Sequence, residues 1–118
     1  LQLQKNGDRN IAALLQQYFA RAFAHERVME TEKAMKDYTT CIRLDSKLAP
    51  AYFNRALMHY DRFEYQLALN DLNTLVQLKP KEPLYLEVRS LLNRKLNKCI
   101  AAGEDLEMAA RLRKTKGG

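Results

Sequence analysis

The chain is 118 residues long, carries a formal net charge of +6, and contains 4 Gly, 3 Pro and 2 Cys. That length suits one domain. Few Gly and Pro, many Ala and Leu, and no run of alternating β-branched residues favour an all-α class. No stretch approaches the ~20 apolar residues of a membrane span, and no signal peptide is visible. Two distant thiols argue against a disulfide framework and for a reducing, cytoplasmic setting, with the nucleus as the alternative.

The charge is uneven. Residues 1–88 carry 12 basic and 11 acidic side chains, and residues 89–118 carry 8 and 3, so the excess belongs to the C-terminal segment. Starting at Leu1 rather than Met and ending in Gly-Gly, the sequence reads as an excerpt of a longer protein.

Taken in order, residues 1–7 read as the tail of an earlier helix, because Gly7 can end one and Asp8 is a good N-cap for the next. Ile11, Leu14, Leu15, Tyr18, Ala22 and His25 then form a stripe at helical spacing, which predicts a helix over about 9–27. A second helix is predicted over about 30–44, followed by a turn at Asp45-Ser46-Lys47. Residues 51–61 and 64–78 form the next pair, closed by Pro80. Leu84, Val88, Leu91, Leu92, Leu96, Cys99 and Ile100 continue as an apolar stripe without a turn signal until Gly103, which predicts one long helix over about 84–102. A weakly amphipathic helix over 105–113 and a frayed end over 114–118 complete the chain.

Two of these pairs are copies. Tyr18/Tyr52, Phe19/Phe53, Arg21/Arg55, Ala22/Ala56, His25/His59, Ala34/Ala68, Asp37/Asp71 and Leu44/Leu78 match at one offset of 34 residues. A constant period of helix-turn-helix units implies a stacked array, because one hairpin cannot bury its own apolar face. Over residues 16–80, and more weakly to about 94, the sequence resembles the tetratricopeptide repeat (TPR) family. The resemblance rests on the early aromatics Tyr18 and Tyr52, the small residues Ala22 and Ala56 four positions on, with Ser90 fitting the same series, and Ala34 and Ala68 in the second helices. The sequence departs from the family by lacking a glycine in the turn, where Met29 and Phe63 stand, and by having Ser46 in place of a terminal proline.

The resemblance implies a right-handed α-solenoid of antiparallel helix pairs, ending here in a long C-terminal capping helix. The expected layout is a TPR-like domain over 1–103, with repeats about 15–48 and 49–82 and a capping helix about 83–102, then a basic helix or tail over 104–118. The family's inner groove is lined by the first helix of each repeat. Carried over, this gives an apolar partner-binding groove of Phe19, Phe23, Phe53, Leu57, Tyr60, Val88 and Leu91, with Asn54 among them. One TPR subclass clamps the acidic tail of heat-shock chaperones with Lys, Asn and Arg at these positions. Asn54 alone matches that set, while Phe19, Phe23, Leu84 and Val88 replace the others, so a carboxylate clamp is not expected. A contiguous apolar stripe calls for a cover. The candidates are a partner's amphipathic helix or extended peptide, the chain's own 105–113 segment, or a second copy.

Other features carry less chemistry. Arg21 and Arg55 are expected to pair with Asp37 and Asp71 across each hairpin, leaving Arg89 as the unpaired arginine. Arg89, Arg94, Lys95, Lys98, Arg111 and Arg113, with Lys114 and Lys116, form a basic patch whose alternative role is nucleic-acid or acidic-surface binding. Without an aromatic among them to stack bases, nucleic acid is the weaker partner. Cys41 is expected in the core. His25 and His59 lack further ligands for a metal and read as interhelical packing residues. Glu30/Glu32 and Glu104/Asp105 read as solvated charge, no glycine-rich phosphate loop is present, and neither catalytic residues nor a cofactor are expected. The sequence therefore points to an adaptor or scaffold rather than an enzyme.

Overall fold

In the computed structural model, the structure describes residues 2–117, with side chains from Gly7 to Thr115. Leu1 and the side chain of Lys116 lie outside the described residues. The helices are α1 (Gln2–Arg27), α2 (Thr31–Leu44), α3 (Ala49–Asp61), α4 (Tyr65–Leu78), α5 (Pro83–Lys95) and α6 (Cys99–Gly117), with no strand among the described residues. The chain divides into two compact units, Leu1–Ala51 and Tyr52–Gly118.

In the first unit α1 and α2 form an antiparallel hairpin. Ala22 and Ala34 are fully buried, and their lack of bulk lets the two backbones approach. Below them Tyr38 and Cys41 fill the core. The Tyr38 hydroxyl donates to Glu26 Oε1 at 2.6 Å, and its ring meets Phe19 edge-on at 5.7 Å. Arg21 donates from Nε and Nη2 to both oxygens of Asp37, at 2.7 and 2.8 Å. α1 does not break at Gly7. A glycine inside a helix costs about 1 kcal/mol relative to alanine, which a long helix absorbs. Asp8 is therefore an exposed interior residue and not an N-cap.

In the second unit Arg55 repeats the same fork on Asp71, at 2.9 and 2.7 Å. Ala56, Ala68, Leu72 and Leu75 make the buried seam. α5 starts at Pro83, with Glu82 accepting a hydrogen bond from the Leu84 amide at 3.4 Å. This start suits Pro, whose missing N–H would have no partner in a first turn.

The long helix expected over 84–102 is instead a hairpin. Asn97 sits in the left-handed region at φ 63°, and the Lys98 amide donates back to the Asn93 carbonyl at 2.7 Å. Asparagine tolerates that conformation better than most residues. Tertiary pairing then outweighs the continuous helical stripe. Ser90 Oγ donates to the Ala102 carbonyl at 2.8 Å, and Arg89 donates to both oxygens of Asp105, at 2.8 and 2.7 Å. Arg89 is thus not the free arginine, and Asp105 is not solvated. It is buried, and Asn93 donates to it at 3.4 Å. The 105–113 segment, one candidate cover for the groove, is the middle of α6, with Asp105 and Ala109 buried.

Candidate functional site

Ala12, Leu15, Gln16, Phe19 and Ala20 recur on α1 at intervals of three and one, which puts them on one helical face. With Leu48 and Pro50 they line an open apolar pocket of about 360 Å³ inside the first unit. The edge-on contact with Tyr38 fixes the Phe19 ring at its wall. One turn further, Phe23 is exposed, with the Arg27 guanidinium 5.8 Å above its ring.

In the second unit the expected groove residues fall on α3 and α5. The Phe53 ring lies 5.6 Å from Tyr85, tilted by 45°, and Tyr60 lies 5.5 Å from Tyr65. Leu57, Leu84 and Leu91 are exposed, while Asn54 and Val88 are half-buried. Phe53, Leu57 and Tyr60, and separately Leu84, Val88 and Leu91, are spaced by three or four residues and so form a row on each helix.

Two members of the basic patch are occupied. Arg89 is held by Asp105 and also donates from Nη1 to Asn73 Oδ1 at 3.2 Å. Arg113 donates from Nε and Nη2 to Glu87, the former at 2.9 Å. The Arg113 hydrogen bond holds the Glu87 carboxyl below the usual carboxylate range. Arg94, Lys95 and Lys98 are exposed around the α5–α6 turn. Arg111 lies 3.8 Å from Glu107. Cations in the last turn of a helix favour its negative end, so Arg94 and Lys95 have a local reason to be there. His59 Nδ1 lies 3.1 Å from Glu64 Oε1, and His25 lies between Glu30 and Asp37, at 3.7 and 3.8 Å.

Sequence reasoning missed Ala12, Leu15, Leu48 and Pro50 as pocket walls. Pro50 was legible: it stands one period before Leu84, which occupies an inner position of the expected groove. Ala12 was not, because it precedes the part of α1 that repeats.

No family model matches the sequence, and no curated protein matches it. Solved structures do resemble it. The structure of MamA superposes with a TM-score of 0.82 at 17% identity, covering 87% of this chain and 60% of that one. The chain thus spans less than two thirds of MamA. The second TPR of Spaghetti (RPAP3), solved bound to an HSP90 peptide, superposes with a TM-score of 0.80 at 22% identity, covering 94% and 96%. The Yersinia enterocolitica type III secretion chaperone SycD, solved with a peptide of the translocator YopD, gives 0.76 at 19% identity, covering 83% and 75%. At these identities the likeness carries the architecture, and the fold of this chain is that of a tetratricopeptide-repeat domain.

Proposed function

We propose that this chain is a protein-interaction module that takes an apolar peptide or amphipathic helix on the inner faces of its first helices. The observation that carries this reading is the open apolar pocket against Phe19 in the first unit. Its volume of about 360 Å³ falls within the ordinary range for ligand sites. The exposed rows of α3 and α5, with Leu57, Leu84 and Leu91, extend the same chemistry in the second unit. The structures of the RPAP3 TPR with an HSP90 peptide and of SycD with a YopD peptide support a peptide as the ligand, and its apolar character rests on the residues of this chain alone. The inner positions here are Phe19, Phe23, Leu84 and Val88 rather than Lys, Asn and Arg, which speaks against a carboxylate clamp. The alternative, anion binding by the C-terminal patch, is weakened because Arg89 and Arg113 already hold carboxylates.

A displayed peptide library, followed by titration of selected peptides, tests the reading. Apolar or amphipathic peptides are expected to bind with weak salt dependence, and Phe19→Ala together with Leu57→Asp is expected to lower affinity at least tenfold, or about 1.4 kcal/mol. Selection of acidic C-terminal peptides whose affinity collapses with salt, and which ignore both changes, would sink it.

A further inference from the structure

We infer that Arg27 makes the α1 face select peptides with a carboxylate two residues from their apolar anchor, a specificity that rests on the peptide-binding reading proposed above. Phe19 at the pocket wall, Phe23 and Arg27 are spaced by four residues and so form one row on α1. Phe23 is 46% exposed, Arg27 is exposed, and the Arg27 guanidinium lies 5.8 Å from the centre of the Phe23 ring. Arg21, whose equivalent Arg89 meets the preceding hairpin through Asn73, lies about 200° around the helix from Phe23. The row therefore stands on a different side of α1 from the one that packs on a neighbouring hairpin.

Arg27 has no carboxylate partner among the described residues. The acids beside it are taken: the Tyr38 hydroxyl donates to Glu26 Oε1 at 2.6 Å, and Lys33 holds Glu30 at 2.8 Å. The negative end of α1 favours a cation at this position, but that field needs only the charge. Contact with the ring does more. It draws the guanidinium back along the helix over Phe23, the direction in which helical side chains lean. Cation–ring attraction leaves the N–H fork for a carboxylate, its best-matched partner.

Geometry then sets the spacing. Phe19 and Phe23 are one turn apart, about 6 Å along the axis. Two residues of an extended peptide cover about 6.6 Å and point both side chains to one side. An apolar side chain seated against Phe19 thus brings the side chain two residues away to the Phe23–Arg27 pair. A carboxylate there completes the pair, and a cation is repelled.

Fluorescence anisotropy with end-blocked Ser/Ala peptides tests this. Each peptide carries one Phe anchor and Glu, Gln or Lys two residues to either side of it, and blocked ends leave no terminal carboxylate. The readout is the ratio of the Glu and Lys affinities. In at least one chain direction the wild type is expected to favour Glu about fivefold, the scale of one exposed ion pair. Arg27→Gln is expected to bring the ratio near one, and Arg27→Glu to invert it. Arg43→Gln, which removes an exposed cation from α2, is expected to keep the wild-type ratio, separating a local pair from the chain's overall positive charge. Moving Glu to the residue next to the anchor is expected to lose the preference. Far-UV circular dichroism and melting check that each variant folds. A wild-type ratio near one, a ratio that Arg27→Gln leaves in place, or one that Arg43→Gln lowers equally would overturn the inference while leaving apolar binding intact. Failure of every peptide to bind would overturn both.

Discussion

Met29, Phe63 and Asn97 hold φ at 63°, 62° and 63°, one per hairpin turn. Each follows the last turn of a first helix and lets the next amide reach back five residues. Glu30 donates to His25, Glu64 to His59 and Lys98 to Asn93, at 2.8, 2.9 and 2.7 Å. Glycine usually fills this place, because a side chain there meets the following carbonyl, at roughly 1–2 kcal/mol. Met29 is 85% exposed, so little packing offsets that strain. Met29→Gly should therefore raise the unfolding free energy by about 1 kcal/mol in urea titrations, the extra freedom of the unfolded glycine removing part of the gain. Phe63→Gly should gain less, since the Phe63 ring packs edge-on against Tyr65 at 6.2 Å. A second residue-scale effect follows from Asp37. The hydrogen bond from Arg21 outweighs the cost of burial and holds its carboxyl below the usual carboxylate range. The folded state then binds that proton less readily than the unfolded chain. The stabilisation is present above the unfolded pKa and is lost as pH falls through the lower, folded one. Melting temperatures should drop on that acid limb, and Asp37→Asn should flatten the drop while lowering stability at neutral pH.

At the scale of elements, the third hairpin is the informative case. Its first two predecessors were legible because small residues, an arginine and an aspartate recurred at a fixed offset, and both Arg–Asp forks appear where that offset puts them. The third was hidden because Leu92, Leu96 and Cys99 continue the stripe of Leu84 and Val88 straight through the turn. Periodicity reports which face is apolar but not where a helix folds back. The signal that could have revealed the turn is the recurrence of single residues: Ala102 one period after Ala68, and Asp105 one period after Asp71. The pocket shows the same limit, since Ala12 enters it from a part of α1 that extends ahead of the repeat. The fork in the third hairpin also carries stability. Asp105→Ala would leave Arg89 without its carboxylate in a mostly buried setting, which typically costs about 3 kcal/mol. Glu104→Ala, one residue away and exposed, should change stability by less than about 0.5 kcal/mol. Equal effects of the two changes in chemical denaturation would show that the fork contributes nothing specific.

At the scale of the whole molecule, three copies of one 34-residue pattern fold into six helices among the described residues, and each hairpin is closed by the same devices. Nearest-neighbour packing of this kind makes stability local, with each repeat adding its own share and that of its interface. Local stability can be read out directly, because the two thiols differ in surroundings. Cys41 is fully buried, lies 3.9 Å from the Leu15 carbonyl, and has its thiol pushed up by burial, whereas Cys99 is exposed at the start of α6. A thiol-specific reagent should modify Cys99 at once and Cys41 only when α1 and α2 separate. The slow phase is then a clock for the opening of the first hairpin, and its dependence on denaturant separates small fluctuations from complete unfolding. No probe needs to be engineered for that measurement: the chain already contains one cysteine as the timer and another as the internal standard.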